Sequence, residues 1–274
     1  YMEWDRQVLE YLGDYADYIS LHRYVGNRDD DTPNYLAVTA SIDRQIEQMD
    51  AVCRFVQARN HSPKRAYLCF DEWNVWYKNR EMDGEGKHAP HLIEEVYNLE
   101  DALVVAGFLN SFIRHADAVK IANIAQIVNV IAPILTRGDE MLIQSIFYPF
   151  EMYASRGEGT ALRVLVDGPT YTSKDYGEVA IIDASAILGA GTLQVFLTNR
   201  SLAEEAVVEI ALSDGAVAGL QSGELLTATE PKAANSWDQP DLVTAESLND
   251  VEIRAGVATV RLPPLSVVAL TFVR

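Results

Sequence analysis

The chain has 274 residues, of which 49% are hydrophobic, so it is long enough for one large or two medium domains with a substantial core. Its formal net charge of −18 argues against nucleic acid or an anionic membrane as a partner, whereas a neutral substrate would not be repelled. No hydrophobic run approaches the length of a membrane span. The two cysteines, Cys53 and Cys69, lie in apolar patterns rather than in a disulfide framework, which favours a reducing, cytoplasmic setting.

Along the first 155 residues, short apolar runs that suit buried strands alternate with longer stretches of helical periodicity. The residues Ile42, Ile46 and Met49, for example, have the spacing of one helix face. The elements predicted in chain order are a helix over Glu3–Leu12, a strand over Tyr18–Leu21, a helix over Pro33–Arg59, a strand over Ala66–Phe70, a helix over Asn98–His115, a strand over Ala118–Ala122 and a helix over Leu142–Ala154.

This alternation of strand and helix predicts a parallel sheet with crossover helices. A dinucleotide-binding sheet would carry a glycine-rich G-x-G-x-x-G turn after a strand, and the sequence has none. A (β/α)8 TIM barrel instead places polar functional residues where several strands end. Polar residues follow the predicted strands in this way: His22 and Tyr24, then Glu72, then Gln126. The pattern therefore favours the barrel.

The most informative stretch is the predicted strand Ala66–Phe70 together with the six residues that follow it. The strand ends abruptly in two carboxylates, Asp71 and Glu72, and next come Trp73, Asn74 and Trp76. In a sugar-cleaving site, a carboxylate is the nucleophile or the acid, and indole rings stack on the sugar. The same pattern also fits a simpler interpretation, in which the carboxylates cap the next segment and the tryptophans pack in the core.

From residue 156 onwards the sequence changes character, because ten of the sixteen glycines lie there and no convincing amphipathic helix does. Regular short strands between Gly, Asp, Asn and Pro turns predict a jelly-roll-like antiparallel β-sandwich. The chain is therefore divided into residues 1–155, α/β in class, and residues 156–274, all-β. The strands predicted in the second part are Leu162–Val166, Val179–Ile187, Thr192–Thr198, Ala206–Leu212, Val251–Ile253, Gly256–Leu262 and Val267–Val273.

Three segments of the first part resemble the intracellular α-L-arabinofuranosidases of glycoside hydrolase family 51, and the likeness extends through the sandwich with less specific motifs. The segments read Tyr18-Ile-Ser-Leu-His22-Arg-Tyr24, Phe70-Asp-Glu72-Trp-Asn-Val-Trp76 and Ala122-Asn-Ile-Ala-Gln126-Ile-Val-Asn129-Val-Ile-Ala-Pro133. The Asp-Glu-Trp-Asn-Val-Trp string, at the end of a predicted strand, is highly specific.

The resemblance implies a retaining glycosidase that removes terminal L-arabinofuranosyl residues from arabinan, arabinoxylan and their oligosaccharides. It implies that Glu72 is the catalytic nucleophile and that Tyr24 and Gln126 contact the sugar. It also implies that His22 and Trp76 lie in or beside the pocket. Such chemistry requires no metal and no cofactor. Because side chains alternate along a strand, Asp71 is expected to point away from Glu72 and to act only indirectly.

The sequence departs from the family pattern in one respect, since no Gly-Asn-Glu motif, which supplies the family's general acid/base, occurs anywhere in it. A complete barrel also needs roughly 250 residues, and about 155 precede the predicted sandwich. We therefore expect residues 1–155 to be the last three βα units of a barrel, and this chain alone to be inactive. We expect either the missing N-terminal half of the barrel or a second copy of the chain, as a homo-oligomer, to cover the open strand edges.

A second hypothesis is a non-catalytic carbohydrate-binding or scaffolding protein with an incomplete barrel. Other motifs have simple interpretations. His88 and His91 lie on a polar loop without a third ligand, so no metal site is predicted. The run Asp29–Asp31 is predicted to be a solvated turn rather than a calcium site. Trp237 is predicted to anchor a sandwich loop rather than to bind sugar, and the charges that follow Asn98 are predicted to stabilise a helix start.

Overall fold

The computed structural model describes residues 2–78, 88 and 93–274. The first part of the chain is built from a parallel sheet, helices and one hairpin. Its elements are α1 Glu3–Leu12, β1 Tyr18–Val25, α2 Thr32–Leu36, α3 Thr39–Arg59, β2 Tyr67–Val75, α4 Leu99–Arg114, β3 Val119–Ile124, β4 Ile134–Arg137, β5 Glu140–Ile143 and α5 Phe147–Ala154.

Strands β1, β2 and β3 form a three-stranded parallel sheet in that order. One face is apolar and is covered by helices, so that Ile19, Leu21, Leu68 and Phe70 are all buried. The predicted βα units are therefore confirmed, although the third contains the hairpin β4–β5 before its helix. Within the described residues, β1 and β3 each pair with β2 alone, and the sheet does not close into a barrel.

Helix α4 is the central element of the molecule, and 13 of its 16 residues are buried. It packs against β2 on one side and against the second part of the chain on the other. Its start is a capping box in which Asn98 accepts from the backbone N–H of Asp101 and the Asp101 carboxylate accepts from the backbone N–H of Asn98. Gly107 lets α3 approach α4, because a Cβ there would lie 2.2 Å from the Thr39 methyl carbon.

The second part of the chain is an antiparallel β-sandwich, as predicted. A six-stranded sheet has the order β13-β12-β16-β10-β9-β6, a three-stranded sheet has the order β11-β15-β14, and β7–β8 is a separate hairpin. The strands are β6 Thr160–Leu162, β7 Thr170–Ser173, β8 Gly177–Ala180, β9 Ile182–Leu188, β10 Thr192–Asn199, β11 Ala206–Ile210, β12 Gly219–Thr227, β13 Ala245–Ser247, β14 Val251–Arg254, β15 Val257–Leu262 and β16 Ser266–Val273.

The six-stranded sheet is a middle layer with an apolar core on each face. On one face, Val195 and Leu270 join a core with Val260 of the three-stranded sheet. On the other face, Phe196 stacks on Tyr153 of α5 at a ring-centroid distance of 4.1 Å and belongs to the same core as α4. The sandwich therefore packs directly on the helices of the first part.

Two predicted helices are shorter than the sequence suggested. The stretch Pro33–Arg59 divides into α2 and α3 at Ala37 and Val38, although both residues keep helical backbone angles. The stretch Leu142–Ala154 begins as strand β5 and becomes helical only at α5. The turn between β4 and β5 contains Gly138 at a φ of 59°, a conformation that glycine adopts without strain and that closes a two-residue hairpin.

The sequence analysis missed strands β4, β7, β12 and β13, and the strand predicted over Leu162–Val166 shares only Leu162 with β6. Strand β12 has little β propensity, since it contains Gly219 and Gly223. Gly223 is required by close packing, because a Cβ there would lie 2.3 Å from the Leu248 carbonyl oxygen.

None of the helices within residues 2–78 and 93–274 combines the length and the hydropathy that a membrane crossing requires.

The run Asp29–Asp31 is not merely solvated, because each of its carboxylates has a partner. Asp29 lies 2.9 Å from Lys174 Nζ, and Asp30 lies 2.6 Å from Lys232 Nζ. The Asp31 side chain caps α2 by accepting from the backbone N–H of Asn34. Because both lysines belong to the sandwich, this loop joins the two parts of the chain.

Candidate active site

The side chains singled out in the sequence lie where the parallel strands end. They lie on the face of the sheet that the helices do not cover, which we call the open face, or on the residues that directly follow the strands. His22 and Tyr24 lie within β1, which extends four residues further than predicted, to Val25. Glu72 lies within β2, and Trp76 follows that strand directly. Gln126 is exposed and lies two residues after the end of β3.

A β-bulge in the middle strand sets the direction of the two carboxylates. Ser20 pairs with Cys69 and His22 pairs with Glu72, so β2 has one more residue than β1 between these pairs. The pairing with β3 is offset at the same place, between Phe70 and Trp73. A bulge of this kind interrupts the alternation of side chains and redirects one of them. Both carboxylates lie against the ring of His22, so the prediction that Asp71 points away from Glu72 is wrong.

Glu72 is half-exposed on the open face and is held by a phenol. The Tyr24 hydroxyl donates a hydrogen bond to Glu72 Oε2 over 2.8 Å, and His22 Nδ1 lies 3.4 Å from the same oxygen. Burial, together with the hydrogen bond to the carboxylate and its negative charge, raises the pKa of Tyr24 well above its ordinary value. The phenol therefore stays protonated at neutral pH and remains a donor to Glu72.

Asp71 lies on the other side of the His22 ring. His22 Nε2 is 3.3 Å from Asp71 Oδ1, which also accepts a hydrogen bond from Ser20 Oγ over 2.6 Å. Partial burial works to raise the pKa of Asp71, but the Ser20 bond, a backbone N–H and His22 outweigh it and lower the pKa below its ordinary value. His22 thus stands between two carboxylates, one at each ring nitrogen.

The two tryptophans of the motif have different environments. Trp73 is fully buried and packs against Phe108 and Phe112 of α4, so the simpler interpretation holds for this residue. Trp76 is half-buried, and its ring meets Tyr24 edge to face at a centroid distance of 5.4 Å. Trp76 therefore supports the phenol that contacts Glu72.

The structure connects His22, Tyr24, Glu72 and Trp76, because His22 and Tyr24 both reach Glu72 and Trp76 packs against Tyr24. Among the hydrogen bonds of residues 2–78 and 93–274, none joins the Gln126 side chain to His22, Tyr24 or Glu72. Gln126 lies instead on the loop of residues 125–131, which follows β3 and begins with a cis peptide bond between Ala125 and Gln126. That loop is joined to β2 through the buried Asn74 side chain.

Sequence reasoning did not find the roles of Ser20, Asp71 and Asn74. Asp71 is adjacent to Glu72 in the motif, but a bulge has no reliable sequence signal. Across residues 2–78, 88 and 93–274, no group of three or more His, Cys, Asp or Glu side chains is arranged to hold a metal ion. Of the two histidines of the polar loop, His88 is exposed and His91 lies outside the described residues.

Comparison with known proteins identifies the family. The family model for the α-L-arabinofuranosidase C-terminal domain matches residues 71–266, which is more than two thirds of the chain. The chain belongs to the family 51 α-L-arabinofuranosidases. A family 51 α-L-arabinofuranosidase from Bifidobacterium longum has the same fold over 98% of this chain and 55% of its own, with a TM-score of 0.90 and 29% identity.

Two curated α-L-arabinofuranosidases are more similar in sequence. The intracellular exo-α-(1→5)-L-arabinofuranosidase of Halalkalibacterium halodurans is 42% identical over 74% of this chain and 42% of its own length. The intracellular exo-α-(1→5)-L-arabinofuranosidase 1 of Bacillus subtilis is 36% identical over 97% of this chain and 54% of its own length. The chain thus spans about half the length of the curated relatives that it matches.

Proposed function

We propose that this chain provides the nucleophile side of the active site of a retaining α-L-arabinofuranosidase. The substrate would be a terminal α-L-arabinofuranosyl residue of arabinan, arabinoxylan or their oligosaccharides. The observation that carries the proposal is Glu72 itself, a half-exposed carboxylate on a strand bulge that receives a hydrogen bond from Tyr24. The names of two relatives, which describe intracellular exo-acting arabinofuranosidases, support both the substrate class and an intracellular location.

In the proposed reaction, the Glu72 carboxylate attacks the anomeric carbon. The bond from that carbon to the leaving-group oxygen breaks, and the sugar becomes covalently bound to Glu72 as a glycosyl-enzyme. Water then hydrolyses this intermediate with retention of configuration. The Tyr24 hydroxyl would hold the carboxylate in position for attack. His22, Trp76 and Gln126 would contact the sugar, Trp76 through its ring and Gln126 through its amide. Neither step requires a metal or a cofactor.

Retention also needs a second carboxyl group about 5–5.5 Å from the first, which protonates the leaving group and later activates water. The family's Gly-Asn-Glu motif, which supplies this group, is absent from the sequence. We propose that the group belongs to the N-terminal half of a barrel that completes the sheet at β1 and β3, and that this chain alone is inactive. A second copy of the chain, as a homo-oligomer, is the alternative cover for those edges.

We further propose that residues 1–155 form the last three βα units of that catalytic barrel and that residues 156–274 form a β-sandwich domain that packs on them. The end of α5 at Ala154 and the start of β6 at Thr160 support this boundary. The sandwich would support the fold without contributing a catalytic group. In agreement with this role, the Arg137 guanidinium covers one face of the Trp237 ring, at 4.4 Å from the ring centroid. Trp237 thus contacts another side chain of the protein, as expected of a residue that anchors a loop.

The test uses the full-length protein, by which we mean this chain together with the N-terminal half of the barrel proposed above. The protein is labelled covalently with a mechanism-based arabinofuranosyl inactivator, and the labelled residue is located by peptide mass spectrometry. We expect one label per active site, on Glu72, and no label on the Glu72→Gln variant. A label on another carboxylate would reject the assignment of the nucleophile. Binding of arabino-oligosaccharides without labelling or turnover would instead support the non-catalytic carbohydrate-binding hypothesis.

A further inference from the structure

Asn74 is a fully buried residue on β2, two positions after Glu72. Its side-chain amide nitrogen donates to the carbonyl oxygens of Ala125 and Ile131, each over 2.6 Å. Its side-chain oxygen accepts from the backbone N–H of Val75 over 2.8 Å. One side chain thus uses both of its amide hydrogens to hold the two ends of a single loop.

The loop in question comprises residues 125–131 and carries three exposed side chains, those of Gln126, Ile127 and Val128. Its ends are drawn together by the hydrogen bond from the Gln126 backbone N–H to the Ile131 carbonyl oxygen, which at 3.3 Å is long. The two bonds from Asn74 are shorter and come from the strand that carries Glu72. They therefore fix the loop relative to the carboxylate, rather than only within itself.

We propose that Asn74 is a positioning residue that sets the place of Gln126 relative to Glu72. The side chain fixes the end of β3 against the end of β2, which is where a sugar bound to both Gln126 and Glu72 would lie. The catalytic consequence rests on the proposed function, whereas the effect on the loop does not. A displacement of about 1 Å in a substrate-contacting group can reduce turnover about 100-fold.

The sandwich contains a matched control, Asn199 at the end of β10. Asn199 is also fully buried, and its amide nitrogen likewise donates to backbone carbonyls, including those of Leu262 and Pro263 over 3.1 and 3.0 Å. Replacement of either asparagine by alanine leaves buried carbonyl oxygens without a donor, so both variants should lose stability. Only the Asn74 variant should affect the loop and the sugar.

The first experiment measures backbone amide hydrogen exchange in the full-length protein and does not depend on catalysis. We expect Asn74→Ala to accelerate exchange at Gln126, Asn129 and Ile131 at least tenfold, while Asn199→Ala leaves these amides unchanged. If Asn74→Ala does not fold, Asn74→Asp and Asn74→Ser replace it, because the first keeps the shape without the amide donor and the second keeps one donor. Unchanged exchange in residues 125–131 would overturn the proposal.

The second experiment measures kcat and KM with 4-nitrophenyl α-L-arabinofuranoside for Asn74→Ala, Gln126→Ala and the double variant. We expect Asn74→Ala to raise KM and to lower kcat/KM about 10- to 100-fold, and to add less than about threefold when Gln126 is already alanine. Mere loss of folded enzyme would lower kcat at constant KM, and fully additive losses would show that Asn74 does not act through Gln126. Either result would overturn the proposal. An inactive parent enzyme would reject the proposed function, and the exchange experiment would still decide the role of Asn74.

Discussion

Two sets of carboxylates in this molecule have opposite surroundings. Asp71 and Glu72, the pocket carboxylates, have side chains that are 41% and 46% exposed. Glu100 and Asp183, the interface carboxylates, lie between the first part of the chain and the sandwich and are both buried. Among the described residues, Tyr24 is the one hydrogen-bond donor to Glu72, whereas the interface carboxylates are each bound by several donors.

Glu100 illustrates the interface carboxylates. It accepts from Thr32 Oγ1 over 2.7 Å, from the Asn27 amide and from Lys232 Nζ over 2.6 Å. Asp183 similarly accepts from Arg114 and Asn110. A buried carboxylate that is bound by several donors serves the fold, because it has no access to substrate. Glu72 is half-exposed and so keeps the access to substrate that a nucleophile requires.

The substitution Glu72→Gln gives the largest expected effect and tests the pocket side of this comparison. We expect kcat of the full-length protein to fall roughly 10⁴-fold, because an amide cannot form the glycosyl-enzyme. The free energy of unfolding should change by no more than about 0.5 kcal/mol, since the side chain is half-exposed and the amide oxygen still accepts from Tyr24. Steady-state kinetics and urea unfolding measure both quantities. The exposed Glu246 on β13 is the control, and Glu246→Gln should leave both unchanged.

The substitution Lys232→Met tests the interface side. It removes the ammonium group from Glu100 and leaves a fully buried carboxylate with only neutral donors, so the free energy of unfolding should fall by about 2–3 kcal/mol in urea unfolding. The control is Lys174→Met, because Lys174 and its partner Asp29 are both exposed, and an exposed ion pair that water and salt screen contributes little to stability. Equal losses for the two variants would show that burial of the partner does not matter here.

The smallest expected effect concerns Asp71 and its dependence on pH. Because the folded state lowers the pKa of Asp71 below its ordinary value of 3.8, its ionised form stabilises the fold at pH values above 3.8. That contribution is lost as the pH falls through the lowered pKa. The side chain is well exposed, so the difference between wild type and Asp71→Asn should be below about 1 kcal/mol at pH 7 and should vanish in strong acid. Urea unfolding at pH 7 and pH 2.5 compares the two, and a difference that grows in acid would contradict the geometry at His22.

The sequence predicted the parallel strands and the sandwich because hydrophobic pattern and turn residues decide these features locally. The strand predicted over Ala66–Phe70 is an uninterrupted apolar run. In the structure, β2 does not end at the carboxylates but continues through Asp71 and Glu72 to Val75. By contrast, β12 is a strand because β16 pairs along its whole length, although Gly223 weakens its intrinsic preference. Such tertiary effects have no local signal.

The site was predicted in part for the same reason. The types and order of His22, Tyr24, Glu72 and Trp76 are visible in the sequence, and their contacts follow from adjacent parallel strands. The roles of Asp71 and Asn74 were missed because they depend on one extra residue in β2 and on the conformation of a loop that begins 51 positions further along the chain. The charges of Glu100 and Asp101 are predicted to stabilise the start of α4, which is right for the capping residue Asp101, but the sequence does not indicate that both carboxylates are buried.

The six-stranded sheet has a consequence for attempts to produce either part of this chain by itself. Its two apolar faces hold Phe196 and Val267 against the helices and Val195 and Leu270 against the three-stranded sheet. A sandwich expressed without residues 1–155 would expose the first of these faces to water, at a cost of roughly 1.5–3 kcal/mol for each large side chain. The boundary near residue 156 therefore marks a change in sequence character, but the chain cannot be cut there into two stable parts. We expect soluble expression only when the residues on both sides of the boundary are present.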